Sequence, residues 1–216
     1  MIDITLLGNK YSFFLLAIFA IPCSLEMSSI LKIWLGRVPE WCVLFCQLQL
    51  FRSVIEQLFI TLGTAINAQG QIKEISIARF VLNALPFVFT YILFSLGYPP
   101  YYMYVVWIFF YSLLGGIVMV YYSKRICLIP YSQFINKVIR PCLVVTIMMI
   151  VFGAIPISQL PSSFMRVILT TLLTTMGMII SMMIFMSNLE KRIFRDIYLK
   201  VRSTSLFSIC KIVRKY

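Results

Sequence analysis

Six long apolar runs fill most of the chain, at residues 11–35, 41–68, 77–96, 101–122, 138–157 and 164–186. Each meets or nearly meets the roughly 20 apolar residues that an α-helix needs to cross the hydrocarbon of a bilayer. The pattern leaves Arg52 as the one basic residue deep inside a run. The runs therefore predict an all-α, polytopic membrane protein, with six transmembrane helices in one lobe over residues 1–188 and a basic tail over 189–216. The first run is too long for the apolar region of a cleavable signal, and it lacks a basic start and a small-residue cleavage site, so it is expected to remain as a helix.

Composition agrees with this reading. The 216 residues are 61% hydrophobic and 12% charged, whereas about a quarter of the residues in soluble domains are charged. A water-soluble globular core is excluded. Charge placement then sets an orientation, because cytoplasmic loops accumulate Lys and Arg. One side receives Lys10, Lys73, Arg79, Lys124, Arg125, Lys137, Arg140 and the basic residues of the tail, whereas Lys32, Arg37 and Arg166 fall on the other. Both termini are expected to be cytoplasmic. Trp34, Trp41, Tyr98, Tyr101 and Tyr102 would mark the outer headgroup zone, and Tyr121 and Tyr122 the inner one.

The net charge of +12 flanks helix ends and forms no motif with base-stacking aromatics, so no nucleic-acid partner is expected. In the tail, Leu189, Ile193, Ile197 and Val201 recur at helical spacing among Lys191, Arg192, Arg195, Lys200 and Arg202. Two readings stay open there: an amphipathic helix on the anionic inner leaflet, or a basic tail that anchors topology.

Candidate chemistry is sparse. Histidine is absent, which removes His ligation and His general-base catalysis. The cysteines at 23, 42, 46, 127, 142 and 210 have no metal or redox spacing. No phosphate-binding loop or nucleophile elbow is present. The chain is expected to be no enzyme and to use no cofactor or metal.

The second run is the exception. On a straight helix Gln49, Arg52, Ser53, Glu56, Gly63 and Asn67 share an arc of about 100°, interrupted by Ile60. A charge in mid-membrane costs roughly 3 kcal/mol on insertion scales, so it normally faces a bundle interior or a wet cavity. Arg52 and Glu56, four residues apart, can pair on one face. They either lock this helix to a neighbour or line a substrate path. Glu26, just after Pro22, is a second intramembrane charge. It either completes the same cavity or sits nearer the outer edge, reached by water or by Lys32. Pro22, Pro86, Pro141, Pro156 and the pair Gly115 and Gly116 interrupt other runs, as in transporters whose broken helices line a cavity.

Several short stretches carry a resemblance. Ile33-Trp34-Leu35-Gly36, then Val38-Pro39-Glu40, then Ala65-Ile66-Asn67-Ala68-Gln69-Gly70-Gln71-Ile72-Lys73 resemble the carboxy-terminal half of bacterial Wzx-type (O-antigen) polysaccharide flippases. These belong to the multidrug/oligosaccharidyl-lipid/polysaccharide exporter superfamily. The likeness continues through Gly97-Tyr98-Pro99-Pro100 and Leu128-Ile129-Pro130. It implies one lobe of a MATE-like fold, in which two six-helix lobes enclose a cationic cavity. It further implies movement of undecaprenyl-diphosphate-linked oligosaccharide across the bacterial inner membrane for lipopolysaccharide synthesis. Arg52, with Lys32 nearer the exit, would hold the diphosphate, and Glu56 or Glu26 would couple release to protons or sodium. The implied partners are the lipid-linked oligosaccharide, membrane lipids and an amino-terminal lobe that this chain does not supply. Two alternatives are a cation-coupled drug or metabolite antiporter of the same superfamily and a non-transporting membrane fragment.

Overall fold

The computed structural model describes residues 2–70 and 72–185, so the amphipathic pattern expected over 189–216, Cys210 and the end of the sixth run at Met186 lie outside the described residues. Every regular element among the described residues is helical: α1 (Ile2–Leu25), α2 (Met27–Leu35), α3 (Cys42–Gln57), α4 (Ile60–Ala68), α5 (Lys73–Ser95), α6 (Tyr102–Trp107), α7 (Gly115–Cys127), α8 (Tyr131–Phe134), α9 (Arg140–Gln159) and α10 (Phe164–Ile184). Two π-helical segments, Ile108–Leu114 and Ile135–Ile139, join α6 to α7 and α8 to α9 into continuous rods. Five helices are long and apolar enough to cross a membrane, or six if α3 and α4, bent by 41° at their junction, form one broken span. That content marks a membrane-embedded helical protein. Contacts group the described residues up to Ser181 into one compact unit, and the packing that follows is that of this unit.

Short turns link successive spans, and α2 packs on α3 and α5 on α6. Gly36, Gly70 and Gly97 close three of these turns at positive φ (67°, 76° and 80°), a conformation in which a Cβ is strained. At one end Trp41 lies against Tyr101 (5.3 Å between ring centres) and Tyr101 against Tyr102 (4.8 Å). At the other, exposed ion pairs join Lys137 to Asp3 and Arg125 to Glu74, both at 2.7 Å.

The first helix departs from expectation. It begins at Ile2 rather than near Tyr11, and Lys10 is a buried helix residue, 5% exposed, instead of a flanking charge. The cause is a neighbour. Asn9, fully buried, accepts a hydrogen bond through Oδ1 from the Thr61 backbone N–H (2.9 Å), while Thr61 Oγ1 donates to the Thr5 carbonyl (2.9 Å). Asn9 therefore faces a helix end that needs a partner, while Lys10 Nζ lies 5.8 Å from the Phe14 ring centre.

That same contact explains the bend between α3 and α4, which contains neither Pro nor Gly. A continuous helix would direct the Thr61 N–H to the Gln57 carbonyl. Here Asn9 takes it, and the ladder tightens into Leu58 N–H to Ile55 C=O and Phe59 N–H to Glu56 C=O, each 3.1 Å. A side chain inserted into the hydrogen-bond ladder is a recognised cause of kinks. Phe59, swung out by the bend, stacks on Phe134 (5.9 Å) and fills the notch at Gly116, where a Cβ would come within 2.4 Å of its ring.

Burial is uneven. α1 is the central helix, with Leu6, Phe13, Phe14, Ala17, Ala20 and Ile21 buried against its neighbours. α5 is peripheral, and only its Ile75 and Pro86 are buried. Between α9 and α10 small residues permit close approach, since a Cβ on Gly153 would lie 2.7 Å from Thr174 Cγ2.

Candidate functional site

Polar groups from three elements meet where the α3–α4 bend, α5 and the π-helical segment Ile108–Leu114 adjoin. They border a half-open cavity of about 300 Å³ lined by Glu56, Gln57, Phe59, Arg79, Asn83, Tyr111, Ser112, Gly115, Gly116 and others. Asn83 stands about 15 Å along α5 from Lys73 at 1.5 Å per residue, which is half of a hydrocarbon layer roughly 30 Å thick. The cavity thus lies midway along α5.

Each wall has a local reason for its polarity. On α3, Arg52 Nε donates to Glu56 Oε1 at 2.6 Å, with the two side chains 22% and 31% exposed. The Arg52 guanidinium also lies 5.2 Å from the ring centres of both Trp107 and Tyr111, close enough for cation–π attraction. Its charge is therefore met on several sides. Ser112, 1% exposed, donates through Oγ to the same Glu56 oxygen at 3.4 Å. A π-helical turn carries it there, and such turns recur at functional sites because they re-aim side chains.

On α5, Arg79 and Asn83 are one helical turn apart and share a face. The Arg79 guanidinium reaches Met119 Sδ at 3.6 Å, and no carboxylate among the described residues pairs with it. Gly63 makes room for it, since a Cβ there would come within 2.9 Å of Arg79 Nη2. Asn83 Oδ1 is buried with no donor among the described residues. Three residues further on, Pro86 lacks an N–H and so releases the carbonyl of Leu82, another lining residue.

Of the residues singled out from sequence, the structure brings Arg52 and Glu56 together and places the others elsewhere. Gln49 and Asn67 are exposed, whereas Gly63, on the same arc, lies against Arg79 of the cavity wall. Lys32 is exposed on α2. Glu26 does not join the cavity and does not pair with Lys32. At 1% exposure it accepts hydrogen bonds from Arg166 Nη2 (2.8 Å) and Thr170 Oγ1 (3.0 Å), and Arg166 Nη2 also donates to Ser29 Oγ (2.8 Å). Arg166, in the first turn of α10, is 14% exposed and bonds α10 to the α1–α2 junction.

Arg79, Asn83 and Ser112 are the site residues that the sequence reading missed. In the sequence Arg79 reads with Lys73 as a flanking charge. The available signal was its spacing to Asn83 and Pro86 along one face of an apolar helix. No group of three or more Cys, Asp or Glu among the described residues is placed to hold a metal. No protein-family model matches the chain, and no curated protein or solved structure does so.

Proposed function

We propose that this chain is one lobe, MATE-like in plan, of a membrane carrier that moves lipid-linked oligosaccharide from the inner to the outer leaflet of a bacterial inner membrane. The observation that carries the reading is the polar cavity midway along α5. An apolar helix bundle that keeps Glu56, Arg79, Asn83 and Ser112 around one space retains polar groups that are expensive in hydrocarbon and normally mark a transport path. The irregular backbone there, with a 41° bend, a proline and a π-helical turn, is of the kind tolerated at membrane depth where it lines a cavity. The substrate class comes from the flippase resemblance.

Within this proposal Arg79 replaces Arg52 as the group that meets the diphosphate. Arg52 is already bound by Glu56 and two aromatic rings, whereas the Arg79 fork has donors left for a bidentate phosphate contact. The test is a chromosomal Arg79→Ala replacement in the cell that makes the protein, followed by leaflet assignment of the radiolabelled lipid-linked precursor. The proposal expects precursor to accumulate on the inner leaflet and surface polysaccharide to fall at least tenfold, with membrane levels of the protein unchanged. Wild-type surface polysaccharide in that strain would overturn it.

A further inference from the structure

We infer that the cavity is a subsite for a single sugar ring, recognised through its hydroxyl donors by Asn83 and Glu56. This rests on the reading of the cavity as a substrate path but not on the diphosphate lipid. Three observations converge. First, the unsatisfied groups are acceptors: Asn83 Oδ1 is buried without a donor, and Glu56 uses Oε1 for both Arg52 and Ser112, leaving Oε2 without a partner among the described residues. A ligand that completes this wall must donate.

Second, the wall also holds Arg79, whose guanidinium can only donate. An anion on its own would satisfy Arg79 and leave Asn83 Oδ1 and Glu56 Oε2 without a donor, so a diphosphate held by Arg79 completes the wall only if hydroxyl donors accompany it. A metal cation or an ammonium group would satisfy the oxygens and meet the guanidinium. A hydroxylated ring does both, because each hydroxyl donates one hydrogen bond and accepts others. Third, Phe59 and Tyr111 give the cavity aromatic walls for the C–H faces of such a ring. A volume of about 300 Å³ is at the lower end of ligand pockets, roughly 300–1,000 Å³. It suits one ring and is too small for a multi-sugar repeat, so the site would read one residue of a longer glycan.

The experiment uses the full chain in lipid nanodiscs, since glucoside and maltoside detergents carry the very headgroup in question. Saturation-transfer NMR is run with the methyl glycosides of glucose, galactose, mannose and N-acetylglucosamine. At least one glycoside is expected to receive saturation. The signal should fall at least fivefold in Asn83→Leu and in Glu56→Gln, and persist in Asn83→Asp, which retains an acceptor. The thermal midpoint of Asn83→Leu is measured alongside to show that it folds.

No saturation of any glycoside, or an unchanged signal in a folded Asn83→Leu, overturns the inference. So does binding of diphosphate or sodium chloride with no glycoside bound. Undecaprenyl-diphosphate-linked N-acetylglucosamine added to the nanodiscs then separates the sources: displacement of the glycoside assigns the ring to a lipid-linked sugar, and no displacement assigns it to a free one. Glycoside binding that is lost in Asn83→Leu, in a strain whose precursor stays normally distributed, would sink the transport reading and leave the sugar subsite standing.

Discussion

Replacing Glu26 by Ala gives the most quantitative prediction. Its carboxylate is 1% exposed and holds Arg166 at 2.8 Å and Thr170 at 3.0 Å, 140 or more residues away along the chain. Removing one partner of a buried pair typically costs about 3–5 kcal/mol, because the remaining charge is left without compensation. Arg166 would keep Ser29 Oγ at 2.8 Å and the Leu160 carbonyl at 3.0 Å, and it lies near a turn, which places the loss near 3 kcal/mol on that scale. Glu26→Ala with Arg166→Ala leaves no orphan charge and should lose less than Glu26→Ala alone. The coupling energy from the four-member cycle should be about 2 kcal/mol or more, within the usual range for residues in contact. The assay is SDS-induced unfolding of the reconstituted protein followed by circular dichroism. A coupling below about 0.5 kcal/mol would refute the claim that this pair fastens α10 to the α1–α2 junction.

Three further outcomes follow from the packing. Asn9→Ala strips the partner from the Thr61 N–H and should destabilise by about 1–2 kcal/mol, the cost of losing a helix N-cap, as read by the same unfolding assay. Gly116→Val drives a side chain into Phe59 and should cost about 1–3 kcal/mol from overpacking; trimming the opposing ring with Phe59→Leu should recover part of that loss. Lys137→Ala removes an exposed pair with Asp3, both side chains about half exposed, and should leave the unfolding midpoint unchanged within error, with whatever effect there is disappearing in high salt.

The helices were legible because the bilayer imposes a one-dimensional demand, a minimum apolar length, that can be counted along the chain. The Arg52–Glu56 pair was legible for the same kind of reason, since four residues is one helical turn. What the chain hid depends on contacts between distant segments. Asn9 and Lys10 resemble the end of a run until Thr61, 52 residues on, is seen to need a cap. The break at Leu58 and Phe59 has no Pro or Gly to announce it, because its cause is that same asparagine on another helix. Arg79 sits close enough to Lys73 to be read as part of a topology signal. Glu26 finds Arg166 across most of the chain, so its neighbours in sequence, Pro22 and Lys32, gave no guide to its partner.

Whether the cavity is a hydrated path at membrane depth can be measured directly with single cysteines in a cysteine-free background. Asn83→Cys faces the cavity, and Val88→Cys, on the same helix but 56% exposed on its outer surface, serves as the lipid-facing comparison. In intact membranes a charged methanethiosulfonate reagent is expected to label Asn83→Cys rapidly and Val88→Cys hardly at all. An inert Asn83→Cys, or equal labelling of the two, would contradict a polar, water-accessible cavity beside α5.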